Sequence, residues 1–126
     1  MTTDDHIRLS IPADAGYGRI ARIAAAGLAL RLGFSYREIE DLRLAVDEAL
    51  ILLLRDDHSD GTLMVEFEPS PDQLVVDVRA GSDEGEPPDD EGIERFVTIV
   101  DEVVDKYEID ESNRRVRLVK SHVALD

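Results

Sequence analysis

The residues that could do chemistry concentrate in 41–55, DLRLAVDEALILLLR. Its second half, 49–54, reads ALILLL, and a helix apolar all round is buried on more than one side. Glu48 enters that zone and shares a face with Leu52, one helical turn on. Two readings of Glu48 stand side by side. It is a solvated acid at the edge of a core helix, because burying a lone carboxylate is costly, or it is the remnant of a catalytic or ligand-facing surface. A second group, Asp56, Asp57, His58 and Asp60, has the residue types of a metal site. It is a single loop with no second set of ligands at a recognisable spacing and does not match a calcium loop, so no metal site is expected. Arg19 and Arg22 are among the few cations of an acidic chain and lie off the apolar stripe of their helix. They face either solvent or a partner.

The elements that must position these residues follow from periodicity. Ser35 with Glu38 fits a capping box. Ile39, Leu42, Val46, Ala49, Leu50 and Leu53 then recur at three and four, which predicts a buried helix over 36–55. Arg43 and Asp47, one turn apart, are placed to pair on its wet side. Upstream, HIRLSI at 6–11 alternates as a half-buried strand, ended by Pro12. Asp14 is a candidate N-cap for a helix over 17–32, with Ile20, Ile23, Ala24, Gly27, Leu28 and Leu32 as its stripe. Small residues at 24–27 allow close approach of another helix or a sheet, and Gly33 suits the position after the helix end.

Downstream, 62–68 and 73–80 alternate as an antiparallel hairpin joined by the turn formers of 69–72. Residues 81–91, GSDEGEPPDDE, are acidic with no apolar side chain to bury, so mobility is expected there. A helix over 92–106 follows, with Ile93, Phe96, Val97, Val100, Val103 and Val104 inward. Strands over 105–110 and 114–121 close the chain, the last with Arg115, Arg117 and Lys120 on one face. This order predicts a two-layer α/β sandwich, a mixed and mostly antiparallel sheet covered on one face by helices.

The chain has 126 residues and no cysteine, so one domain over 1–126 is expected, with no disulfide and no thiolate metal site. A formal charge of −15 argues against nucleic acid or an anionic membrane over the whole surface and favours a basic protein partner. The start, MTTDDHIRLS, lacks an apolar signal region, and no run reaches a membrane span of about 18 residues, so a cytoplasmic protein is the default.

LRLAVDEALILLL resembles the N-box helix of the GHKL ATPases, in the form found in the RsbW-type anti-sigma-factor serine kinases of bacterial partner-switching modules. Ala45, Val46, Glu48 and Ala49 match that pattern, and Leu52 stands where a metal-binding Asn belongs. The order of elements is similar over nearly the whole chain, as is the spacing of the last helix and closing hairpin, 97–99 through 105–110 to 116–120. The resemblance implies a histidine-kinase-like ATPase (Bergerat) fold over the single domain. Its nucleotide motifs depart from the pattern. The strand-end Asp-x-Gly that reads adenine is matched only by Asp83 and Gly85, about three residues late, and one glycine, Gly92, remains of the phosphate-cradling pair. Acids fill the lid, and like charge repels a triphosphate.

The resemblance therefore implies an anti-sigma-factor-like binding regulator without kinase activity, with no cofactor. Its partners would be a sigma factor or an anti-sigma-factor antagonist, held through Arg19 and Arg22 on the first helix. Such proteins commonly dimerise, and the small residues of that helix would permit it. The alternative is an active ATP-dependent protein-serine kinase, with Mg-ATP bound, Glu48 as general base and Asp83, Gly85 and Gly92 around the nucleotide. An acidic domain with a small-molecule pocket is a third class, to which no motif points.

Overall fold

The computed structural model describes residues 5–54, 61–81 and 88–122. Strand β1 (Ile7–Pro12) leads through a 3-10 turn (Ala15–Tyr17) into helix α1 (Gly18–Arg31) and helix α2 (Tyr36–Leu53). The hairpin β2 (Thr62–Ser70) and β3 (Gln73–Ala80) follows, then helix α3 (Asp90–Val100) and strands β4 (Lys106–Asp110) and β5 (Arg115–Ser121). The sheet has the order β1-β2-β3-β5-β4, and every pairing is antiparallel. The mixed sheet expected from sequence is thus wholly antiparallel among the described residues.

Register puts one apolar face on the sheet. Leu63, Val65 and Phe67 of β2 lie opposite Ala80, Val78 and Val76 of β3, and Val78 and Val76 lie opposite Val116 and Leu118 of β5. These side chains form one buried core with the inner faces of the helices. The other face carries a charged row across all five strands: Arg8, Glu66, Asp77, Arg117 and Glu108 are neighbours in register. Opposite charges directly across strands stabilise a sheet, and like charges oppose it. Glu66 and Asp77 lie side by side, and each is answered by cations: His6 and Arg8 on Glu66, Arg115 and Arg117 on Asp77. Lys120 departs from expectation. It shares parity with Val116 and Leu118, so it lies on the helix side, where it donates to the Val103 carbonyl at 2.8 Å and meets Asp41 at 3.5 Å.

Helix ends follow local chemistry. Ser35 and Glu38 close the capping box at α2. Gly33, at φ +88, ends α1 in a Schellman motif, with Phe34 N donating to Ala29 O and Gly33 N to Leu30 O. Asp14 Oδ1 accepts from Gly16 N and so caps the 3-10 turn rather than α1 itself. The last helix begins two residues earlier and stops six earlier than its apolar pattern suggests, because Val103 and Val104 continue the hydrophobic run through a turn.

The inward face of α1 also differs from expectation. Gly18, Ala21, Ala25 and Ala29 are buried, whereas Ile20 and Ile23 are exposed and a Cβ at Gly27 would meet nothing. Small side chains let α1 lie close on α2 and the sheet; of the expected stripe, Ala24, Leu28 and Leu32 pack against the core, while Ile20 and Ile23, with Leu30, are left outside. Of the small residues at 24–27, Ala25 is buried, Ala24 packs against the core, Ala26 is half-buried and Gly27 faces outward. Arg43 pairs with Glu40 and not with Asp47, which is taken by Arg22 of α1 at 2.8 Å.

Candidate functional site: the cleft between α2 and α3

α2 is anchored at its start by the capping box and buried along Leu42, Ala45, Val46, Ala49, Leu50 and Leu53. That rotation turns Glu48 and Leu52 toward α3. Glu48 is only 5% exposed, so it is not a solvated acid at the edge of the helix. A buried carboxylate needs a cation or hydrogen bonds. Arg95 of α3 supplies both, with Nε donating to Oε1 at 3.1 Å and Nη2 to Oε2 at 3.4 Å. The Arg95 side chain itself remains 61% exposed, so the pair is buried on one side and wet on the other. The hydrogen bond to Glu48, then its charge, raises the Arg95 pKa further.

Leu52 is buried beside this pair, and a Cβ on Gly92 would come within 3.3 Å of Leu52 Cδ1. Leu44 is 42% exposed, and Ile51, 45% exposed, lines the cleft. The cleft is not sealed. A volume of about 300 Å³ remains, with Leu52, Phe96 and Ile51 as apolar lining and Glu48, Asp89, Glu91 and Arg95 as charged lining. Asp89 caps α3, its Oδ1 accepting from Gly92 N at 2.7 Å. Helix N-termini hold anions because their first N–H groups have no partner in the helix. Here the chain's own carboxylate takes that place.

The other sequence candidates lie as follows. Gly92 sits in the first turn of α3 and lines the cleft. Asp83 and Gly85 lie outside the described residues, as do 55–60 with the Asp-His loop. Of the acidic stretch 81–91, the expectation of mobility fails at its end: Pro88 is buried, Asp89 is a cap, and Asp90 and Glu91 are helical. Arg22 is half-buried on Asp47, at the mouth of a second cavity of about 330 Å³ between α1 and α2. Arg19 is exposed. Arg95 was missed by sequence reasoning. The signal was available, since a buried Glu48 requires a cation and Arg95 is the only one between residues 89 and 105. Among the described residues no group of three acids or histidines is placed to hold a metal ion, and no helix is long and apolar enough to cross a membrane.

No family model matches the chain. Curated relatives do. The serine-protein kinase RsbW of Listeria innocua is 39% identical over 80 residues, which is 61% of this chain and 51% of that protein. This chain is related to the RsbW serine-protein kinases. RsbW of Bacillus subtilis is 35% identical over 85 residues, covering 65% of this chain and 51% of its own length. RsbW of Oceanobacillus iheyensis is 46% identical over a shorter stretch of 50 residues, 40% of this chain and 32% of that protein. The chain thus spans about half the length of the curated RsbW proteins it matches. A crystal structure of the RsbU and RsbW domains of a Mycobacterium tuberculosis protein superposes with a TM-score of 0.64 over 94% of this chain and 31% of that one, at 14% identity. The likeness supports a GHKL-like α/β fold, with the RsbW-like sheet antiparallel and its helices on one face.

Proposed function

We propose that the protein is an anti-sigma-factor-like regulator of a partner-switching module that acts by binding and not by phosphoryl transfer. The observation that carries this reading is the pairing of Glu48 with Arg95 beside Leu52. Phosphoryl transfer depends on positioned charge and metal. A hard cation such as magnesium requires oxygen ligands, which Leu52 cannot offer. A carboxylate held by a bidentate guanidinium is a poor base, because losing its negative charge to a proton costs that interaction. At the start of α3 the Gly92 N–H is taken by the Asp89 carboxylate, and Asp90 and Glu91 add negative charge to the same turn. These residues do not fit a magnesium-bound triphosphate.

Binding then rests on protein surface. α1 holds Arg19, Arg22 and Arg31 and no acid, in a chain of formal charge −15. Its outer face joins Arg19 to exposed Ile20, Ile23 and Leu30, the last 68% exposed. Contiguous exposed apolar residues rimmed by charge suit a protein partner. A sigma factor or an anti-sigma-factor antagonist is the partner proposed for this face.

A second reading, a working serine-protein kinase, is favoured by the names of the relatives and by the survival of Glu48 in an open cleft. Calorimetric titration with Mg-ATP separates the two. No saturable heat is expected; saturable binding in the micromolar range would favour the kinase instead. Affinity capture from the native lysate, followed by mass spectrometry, identifies the partner.

A further inference from the structure

The cleft answers its own charges. Its buried anion, Glu48, carries a cation of the same chain, and its helix N-terminus carries an anion of the same chain, Asp89. Both responses sit on α3 or at its cap, while the group that demands the cation sits on α2. The rest of the α3 footing is apolar. Phe96 is buried edge-on against Tyr107 of β4, with ring centroids 5.8 Å apart, and Val100 is fully buried. Apolar packing fixes the depth of a helix but is non-directional. A bidentate guanidinium–carboxylate pair is directional and fixes rotation and register.

We infer that the Glu48–Arg95 pair, together with the Asp89 cap, is an internal lock that holds α3 docked on α2 with no ligand in the cleft. A triphosphate entering there would have to draw Arg95 off Glu48, leaving a buried carboxylate alone. The consequence for regulation rests on the binding-regulator reading above: the α2–α3 surface has one form, present with or without nucleotide, and the switch that releases a partner acts elsewhere.

Hydrogen exchange of the full chain tests the lock amide by amide. The parent is measured with and without millimolar Mg-ATP, beside Glu48→Gln, Arg95→Ala and Arg95→Lys. Glu48→Gln keeps the side-chain shape and leaves no buried charge unpaired. Exchange across α3 is expected to be the same in the parent with and without Mg-ATP. It should be on the order of tenfold faster in Glu48→Gln and Arg95→Ala, with Arg95→Lys between, and β2 and β3 unchanged in all. Parent-like α3 exchange in both Glu48→Gln and Arg95→Ala overturns the lock. So does exchange that rises equally in β2 and β3, or a parent α3 that slows on adding Mg-ATP. A saturable heat of Mg-ATP binding with α3 exchange unchanged would overturn the functional reading and leave the lock standing.

Discussion

Replacing Leu52 by Asn restores the residue type that the GHKL pattern carries at that position, and it separates a degenerate cleft from a working one. Leu52 is 4% exposed, so almost the whole side chain is out of water. Full burial of a leucine is worth about 1.5–3 kcal/mol. An amide buried without a partner would add about 1–3 kcal/mol. The cleft of about 300 Å³ beside Leu52 gives water a way to that amide, so the second cost falls near its lower end. The sum is about 2.5–4 kcal/mol. For a chain of 126 residues this lowers the melting temperature by roughly 8–15 °C. The assay is a melting curve of parent and Leu52→Asn, each with and without Mg-ATP. Both are expected to ignore the nucleotide, because Arg95 still holds Glu48 and Asp89 still caps α3. A variant as stable as the parent that gains several degrees with Mg-ATP would refute the reasoning.

Three further outcomes are expected. Arg19→Glu should weaken partner binding on the order of tenfold at low salt and less at high salt, since exposed charges act through a screened field; titration against the captured partner at two salt concentrations measures it, and unchanged affinity removes Arg19 from the interface. Gly27→Ala should stabilise by about 0.5–1 kcal/mol, because the helix gains an alanine where a Cβ meets no atom, and a melting curve reads the gain. Asp110, whose carboxylate accepts from the Asn113 side chain and backbone and from Ser112, is held below its usual pKa by those bonds. Its contribution is therefore present above the unfolded carboxylate pKa and is lost as pH falls through the depressed folded one, so the gap in melting temperature between parent and Asp110→Ala should shrink on acidification.

What the sequence made legible was whatever local chemistry decides. The start of α2 was readable because Ser35 and Glu38 close a capping box that needs no tertiary partner, and the hairpin because 69–72 is dense in turn formers between two alternating runs. The face of α1 was not readable. Its isoleucines and its alanines each recur at helical spacing, and only the distance to α2 decides which set goes in. Lys120 was misplaced by one residue of parity, which in a strand exchanges the faces. The Glu48–Arg95 pair joins positions 47 residues apart, beyond any periodicity. The resemblance to RsbW located Glu48 and Leu52 but could not supply Arg95.

The alanine seam of α1 has one more consequence. Gly18, Ala21, Ala25 and Ala29 meet the core through side chains of a methyl group or less, and the bulky residues Ile23 and Leu30 touch it little. If the outer face binds the proposed partner, selection on folding and selection on recognition fall on different residues of the same helix. Large substitutions on the outer side are expected to cost little stability, within about 0.5 kcal/mol for exposed positions. A scaffold divided in this way can change its partner by surface drift alone, without repacking its interior.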